Sequence, residues 1–162
     1  YIFCPLQVPK DSQIQYFSGF VRNIDNLIDI LHNVAAHLPE GWHIRLKEHP
    51  SSETRFTEKI QALSHDKFML DNATDTFELV KGSNGVITVN SSLGLQSLFF
   101  QKPVIVLGKA FYNVEPVTYS ANNPEELEAL LQHPDRLKWH ENETTAYLNY
   151  ILNEYYTFKL KQ

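Results

Sequence analysis

A lysine, a glutamate and a histidine stand together before a proline in the run Lys47–Pro50, where a stretch of alternating polarity from Trp42 ends. Histidine can donate to a phosphate oxygen and protonate a leaving group near neutral pH, and a nearby lysine adds positive charge. A surface turn with charged residues is the simpler interpretation of this run alone. Because a predicted strand precedes it and a second phosphate-like run follows downstream, we predict functional roles for His49 and Lys47.

The second run is Thr88–Gly94, which leads from a predicted buried strand into a predicted helix. Asn90 comes first, and either Ser91 or Ser92 would cap the helix. Free backbone N–H groups, hydroxyls and the positive end of the helix dipole together suit a phosphate. An ordinary serine cap is an equally good interpretation of the run taken alone. The glycine that ends the run allows a neighbour to approach closely or relaxes packing.

A third polar run, Pro5–Ser12, follows the first predicted strand. Its two prolines stiffen an extended loop, from which Gln7, Asp11 and Ser12 could contact a sugar or a base. A polar surface loop with a local cap is the alternative.

Short apolar runs alternate with longer amphipathic stretches along the chain. We predict strands at 1–8, 42–47, 68–70, 85–89 and 102–107, and helices at 23–38, 52–64, 74–81, 93–100, 124–132 and 144–158. Thr74 is the predicted cap of its helix, and 111–123 is predicted to be a loop over the site. Strand–helix alternation predicts an α/β fold, a Rossmann-like three-layer domain with a mainly parallel sheet. Ligands bind beyond the carboxyl ends of such strands, where the three polar runs lie.

Composition narrows the function classes. The chain has 162 residues, 43% of them hydrophobic, which fits one domain with a single core. A net charge of −5 argues against a nucleic-acid-binding surface. Cys4 is the single cysteine, and we expect it to be a buried apolar residue of a protein in a reducing compartment. Zinc-ligand spacing, GxGxxG and P-loop motifs are absent from the sequence. The first residues resemble the edge of a fragment rather than a signal peptide.

Four runs, taken in order, resemble the capsule polysaccharide biosynthesis family: Pro5–Pro9 with Asp11–Ile14, Lys47–Pro50, Val89–Leu95, and Lys102–Gly108 with Tyr112. This family includes Kps-type and Lip-type proteins, and the resemblance covers roughly residues 1–131. It implies one half of a GT-B-like glycosyltransferase, the C-terminal donor-binding half of a β-Kdo transferase that uses CMP-Kdo. The histidine–proline and serine pairs are also similar to motifs of bacterial sialyltransferases, in which they engage the CMP phosphate.

The resemblance carries the phosphate role to His49, Ser91 and Ser92 only, with His49 as the catalytic residue. From their own chemistry and position, Lys47, Asn90 and Gln7 are also expected to bind donor or phosphate, and the weaker candidates are Asp11, Ser12, Glu48 and Tyr112. Residues 1–136 would form the nucleotide-sugar-binding domain and 137–162 a helical tail that packs on it or on an N-terminal half. That half would normally supply the catalytic carboxylate.

The expected partners are the nucleotide-sugar donor, a glycan or glycolipid acceptor, the N-terminal half and the inner-membrane capsule machinery, in the cytoplasm. Neither a cofactor nor a metal is expected. Two alternatives stay open: a CDP-glycerol-type phosphotransferase of teichoic-acid-like polymers, and a non-catalytic module that binds a nucleotide or a partner.

Overall fold

The described part of the chain forms one six-stranded parallel sheet. The computed structural model describes residues 1–7 and 19–160, with side chains as far as residue 154. The strands are β1 (Ile2–Pro5), β2 (Ile44–Lys47), β3 (Phe68–Leu70), β4 (Gly85–Thr88), β5 (Val104–Val106) and β6 (Tyr119–Ser120). Their order is β3-β2-β1-β4-β5-β6, and every neighbouring pair is parallel.

Helices follow most of the strands. They are α1 (Ile24–Ala35), α2 (Thr57–Leu63), α3 (Thr76–Gly82), α4 (Ser92–Phe99), α5 (Pro124–Gln132) and α6 (Glu141–Leu160), with a 3₁₀ turn at Pro134–Arg136. Helix α1 illustrates what makes such a segment helical. The Asn23 side chain accepts the N–H of Asn26 at 2.7 Å, and Ile24, Leu27 and Leu31 lie buried on one face. The cap satisfies one orphan donor, and each buried side chain contributes roughly 2 kcal/mol.

Alternate residues of the central strands face two separate hydrophobic cores. In β1, Ile2 and Cys4 pack into one core and Phe3 into the other. Helices α1, α2 and α5 cover the first face, and α3, α4 and α6 cover the second. The predicted three-layer α/β domain is therefore confirmed. Cys4 is buried, and burial raises the pKa of its thiol to about 12, so it stays protonated and unreactive.

The sheet changes direction between β1 and β4. From β1 the chain adds β2 and β3 on one side, and from β4 it adds β5 and β6 on the other. A change of direction of this kind opens a crevice at the carboxyl ends of the strands. The three polar runs of the sequence begin at or next to this crevice.

The sixth strand was not predicted. Residues 111–123 were expected to be a loop, but Tyr119 and Ser120 pair with Ile105 and Val106 of β5. A two-residue strand carries too little alternation for its pattern to be detected. Of this segment, Phe111, Tyr112, Asn113 and Asn122 line the cleft described below.

Helix starts also differ from prediction: α6 begins at Glu141 rather than at residue 144, and two other differences have an identifiable cause. Helix α2 was expected from residue 52 but begins at Thr57, because the Glu48 carboxylate accepts the N–H of Phe56 at 2.7 Å and fixes the start there. Thr74 was expected to cap α3, and this is wrong. Asp75 is the cap, and its carboxylate accepts the N–H groups of Phe77 and Glu78 at 3.1 and 3.3 Å.

The tail after residue 136 contacts this domain through its first half. The Trp139 indole N–H donates to the Leu98 carbonyl at 2.9 Å, and the Tyr147 hydroxyl donates to the Phe111 carbonyl at 3.2 Å. Leu148 is 7% exposed, whereas Tyr150 is 59% exposed. The division at residue 136 stays a prediction.

Candidate functional site

A cleft of about 1210 Å³ opens at the carboxyl ends of β1, β2, β4 and β5. It brings together residues that lie far apart in the sequence. The predicted site residues that line it are Gln7, Lys47, Glu48, His49, Asn90, Ser91, Ser92 and Tyr112. Asp11 and Ser12 lie outside the described residues. The geometry thus brings residues of the first two runs together with the described start of the third, Pro5–Gln7, while the role of each residue stays a prediction.

His49 is exposed at the edge of this cleft with a fixed ring orientation. The Ser51 N–H donates to its Nδ1 at 3.0 Å. With Nδ1 accepting, the neutral ring carries its proton on Nε2. His49 can therefore offer an N–H donor from Nε2 to an anion in the cleft. Pro50 ends the extended run and lines the same cleft.

Glu48 is 4% exposed, and its carboxylate is fully occupied. It accepts hydrogen bonds from the Phe56 N–H at 2.7 Å, from the Asn72 amide at 3.1 Å and from the Thr57 hydroxyl. The Asn72 side chain in turn accepts the Glu48 N–H at 2.9 Å. Burial raises the pKa of Glu48, but these hydrogen bonds and the charge of Arg55 outweigh it and lower the pKa overall. The carboxylate holds the turn that presents His49.

Two lysines supply positive charge to the cleft. Lys47 donates from Nζ to the Thr74 carbonyl at 2.5 Å, which ties the end of β2 to the loop before α3. Lys109 is exposed on the loop after β5. The protein carries a net charge of −5, yet Glu48 is the carboxylate among the described lining residues, beside these two lysines. The local balance favours an anionic ligand.

Ser91 is the cap of α4, which settles the choice between the two serines. Its hydroxyl oxygen accepts the Leu93 N–H at 3.1 Å, and its own N–H donates to Oγ1 of Thr88 at 3.0 Å. Ser92 is the first residue of the helix, is exposed and lines the cleft. The start of the helix therefore presents backbone donors and a hydroxyl where the dipole favours negative charge.

Tyr112 lies behind this helix start and is 1% exposed. Its hydroxyl donates to the Ser91 carbonyl. Burial raises the pKa of Tyr112 well above its usual range, although a hydrogen bond with Thr88 opposes the shift. A Cβ on Gly94 would overlap the Tyr112 hydroxyl and would lie 2.7 Å from Cγ2 of Thr88. Of the two roles open for Gly94, the structure shows the close approach.

The floor of the cleft joins the two halves of the sheet. Gln7, after β1, donates from Nε2 to Oδ1 of Asn90, after β4, at 3.2 Å. Asn90 is buried and Gln7 is half-buried. This contact bridges the point where the sheet changes direction, and both residues line the cleft.

Sequence reasoning missed two aromatic residues of the cleft. Phe77, in the first turn of α3, is 41% exposed, and Phe111 is 69% exposed. Phe111 packs edge-on to Tyr112, with ring centroids 5.5 Å apart. Its position after β5 was a usable signal. No sequence signal pointed to Phe77, because its position in the first turn depends on Asp75, rather than the predicted Thr74, being the cap of that helix.

Neither a metal cluster nor a membrane span is seen in the described ranges 1–7 and 19–160. No three His, Cys, Asp or Glu side chains there are grouped to hold a metal ion. In the same ranges, every helix is too short or too polar to cross a bilayer. Metal independence and cellular location both stay predictions.

Comparison with known proteins agrees with this architecture. The family model described as "Capsule polysaccharide biosynthesis protein" matches residues 1–157. The "Capsule polysaccharide modification protein LipB" of Neisseria meningitidis is 29% identical over 162 residues, which are 94% of this chain and 37% of LipB. The chain covers 32% to 37% of the curated relatives it matches, about a third of their length.

Two solved structures share the fold. KpsC of Thermosulfurimonas dismutans, described as a beta Kdo 2,7 transferase, matches with a TM-score of 0.59 and 23% identity, over 79% of this chain and 43% of KpsC. The wall teichoic acid polymerase TagF matches with a TM-score of 0.52 and 18% identity, over 84% of this chain and 34% of TagF. The predicted likeness to one half of a GT-B glycosyltransferase is confirmed at the level of the fold. This chain belongs to the capsule polysaccharide biosynthesis family.

Proposed function

We propose that this chain is the donor-binding half of a cytoplasmic glycosyltransferase that transfers Kdo or a related acidic sugar from a CMP-linked donor during bacterial capsule or surface polysaccharide biosynthesis. The family membership supports the process, and the cleft supports an anionic donor. The rest of the enzyme would supply the acceptor site and the catalytic carboxylate. Association with the inner-membrane capsule machinery is part of the same proposal.

The chemistry asked of this half is to hold the phosphate that leaves. When the sugar transfers, the bond between its anomeric carbon and the phosphate oxygen breaks, and negative charge grows on the CMP phosphate. Nε2–H of His49 and the start of α4 are donors that face the same cleft. Donors fixed before the reaction stabilise such charge more than mobile water does.

The remaining residues have supporting roles in this proposal. Lys47 adds positive charge, and Gln7 and Asn90 orient the donor from the cleft floor. Glu48 positions His49 through its occupied carboxylate. Because these protein groups neutralise a single phosphate, we propose that no metal or other cofactor is needed.

One observation carries the proposal. The His49 ring, the capped start of α4 and two lysines, drawn from the ends of different strands and the segments after them, line one cleft in a chain with a net charge of −5. An acidic protein gathers such donors at one place when it binds an anion.

The test is calorimetric titration of the chain with CMP, beside CDP, UDP and GDP. We expect CMP to bind most tightly. His49→Ala should weaken the affinity for CMP by about tenfold, which corresponds to the loss of one hydrogen bond to a charged group. His37→Ala is the matched control, because His37 pairs with Glu128 at 3.2 Å on the α1 side of the sheet and lies outside the cleft lining. Preference for UDP or GDP would remove the CMP-sugar proposal.

Turnover gives the second test. In an enzyme that contains both halves, we expect His49→Ala to lower turnover from CMP-Kdo by about 100-fold, as general acid or charge-stabilising groups do. Full activity of His49→Ala would contradict the assigned role. The melting temperature of the variant should match the wild type, since His49 is exposed.

A second candidate is a CDP-glycerol-type phosphotransferase, which also releases CMP. The fold shared with the wall teichoic acid polymerase TagF favours it. Assays with CDP-glycerol and CMP-Kdo side by side decide between the two. Binding of CMP without turnover of either donor would favour a non-catalytic module.

A further inference from the structure

The polar groups of Ser91 form hydrogen bonds that hold the first turn of α4. Its N–H donates to Oγ1 of Thr88 and its hydroxyl oxygen accepts the Leu93 N–H. Its carbonyl accepts both the Tyr112 hydroxyl and the Gly94 N–H, the latter at 3.0 Å. The conformation of Ser91 is thereby fixed from several directions.

The neighbouring peptide makes this fixation relevant to a ligand. The Ser91 carbonyl and the Ser92 N–H belong to one planar trans peptide, so they point in opposite directions. The Ser92 N–H is the first of α4, and it has no hydrogen-bond partner in the ranges 1–7 and 19–160. Ser92 also lines the cleft. A group that holds the Ser91 carbonyl therefore also sets the direction of a donor at the cleft.

Tyr112 is placed to be that group. It is 1% exposed, and only the missing side chain of Gly94 lets its hydroxyl come so close. The loop after it is braced, because Oδ1 of Asn113 accepts the hydroxyls of Thr118 and Ser120 at 2.7 and 2.9 Å. A rigid loop holds the hydroxyl in place, and the hydroxyl holds the peptide.

We propose that Tyr112 is a positioning residue of the anion site: through the Ser91 carbonyl it keeps the Ser92 N–H aimed for the donor phosphate. Tyr112 does not touch the ligand. Gly94 is part of the same device, since any larger residue displaces the hydroxyl. The identity of the ligand rests on the function proposed above, whereas the fixed direction of the peptide does not.

Binding tests the inference first. In a titration with CMP, we expect Tyr112→Phe to weaken binding about fivefold, the worth of one well-placed hydrogen bond. Tyr1→Phe is the matched control, because it also removes a hydroxyl that donates to a backbone carbonyl, that of Leu79 at 2.8 Å, and neither residue lines the cleft. It should leave the affinity within about twofold, which is under half a kcal/mol. Equal affinity of Tyr112→Phe and wild type, or equal loss in both variants, would overturn the inference.

A second readout needs no ligand. The ¹⁵N relaxation order parameter of the Ser92 amide should fall in Tyr112→Phe and stay unchanged in Tyr1→Phe. If the wild type binds no CMP, the proposed function fails and this order parameter alone decides the inference. An unchanged Ser92 amide in Tyr112→Phe would then sink it. Should Tyr112→Phe fail to fold, Gly94→Ala, which displaces the hydroxyl and keeps the ring, must show the same fall.

Discussion

The two walls of the cleft hold their functional turns by opposite means. On the β2 wall, the buried Glu48 carboxylate collects donors and so fixes the turn that carries His49. On the β4 wall, the neutral Tyr112 hydroxyl and the missing side chain of Gly94 fix the turn that carries Ser92. The β2 wall is held by hydrogen bonds to a charged carboxylate, whereas the β4 wall is held by the close fit of a hydroxyl against a glycine.

This difference determines how far the effect of a mutation in each wall spreads. The buried Glu48 carboxylate needs all of its hydrogen-bond donors. These donors lie in different elements, in α2 and in the loop after β3. Damage there spreads through several elements. The β4 wall depends on one glycine and one hydroxyl, so damage there stays local. The variants below, from the largest expected effect to the smallest, test this contrast.

The largest effect is expected at the charged wall. Glu48→Ala leaves the Phe56 N–H, the Thr57 hydroxyl and the Asn72 amide without their acceptor. We expect the free energy of unfolding, measured in urea, to fall by about 3 kcal/mol. The exposed Glu53→Ala is the control and should stay within about 0.5 kcal/mol of wild type. Similar values for both variants would show that the carboxylate is not structural.

The shape-based wall comes next. Gly94→Ala places a methyl group against the Tyr112 hydroxyl and Thr88, and overpacking of this kind costs about 2 kcal/mol. In a Tyr112→Phe background the cost should shrink, because the oxygen is gone. A double-mutant cycle measures this coupling. An equal cost in both backgrounds would mean that Thr88, and not the hydroxyl, is the obstacle.

The start of α3 borders both walls through Thr76 and Phe77. Asp75→Ala removes its cap and should lower the free energy of unfolding by about 1 kcal/mol. Thr74→Ala removes only an exposed contact to Asp71 at 2.8 Å and should cost less. Thermal unfolding of the two variants compares them directly, and the reverse order would restore Thr74 as the cap.

The smallest effect is the response to pH, since burial and hydrogen bonds oppose each other at Glu48. Its folded pKa is lowered from an ordinary value of 4.5, so its contribution to stability is present above that pH and lost as pH falls through the folded value. Tyr112 behaves oppositely. Its pKa is raised from 10.0, so its contribution is present below pH 10 and lost as pH rises through the folded value.

Variants separate these two responses. In urea titrations across pH, Glu48→Gln should flatten the acid limb alone, and Tyr112→Phe the alkaline limb alone. An acid limb that persists in Glu48→Gln would assign the acid sensitivity to other carboxylates.

Much of this architecture could be predicted from the sequence. The apolar runs around Ile87 and Ile105 predict buried strands, and polar residues directly after strands predict the cleft, because parallel strands end at one edge. The pairing of Tyr119 with β5 could not be predicted, since two residues carry no period.

Long-range partners were also beyond the sequence. Tyr112 meets Ser91 across 21 positions, and Glu48 meets Asn72 across 24. Only the folded backbone brings such groups together, so sequence reasoning found the residues of the cleft but not what holds them. The same limit made Thr74 look like a cap, although its neighbour performs that role.

The change of direction between β1 and β4 also bears on how such proteins diverge. The residues that face the cleft come from segments that follow strands or begin helices, while the two cores lie within the layers. At the exposed positions of those segments, such as His49, Ser92 and Lys109, mutations can accumulate without unfolding the scaffold. In terms of the proposed function, successive substitutions at these exposed positions can change which donor binds while the sheet and its two cores are retained.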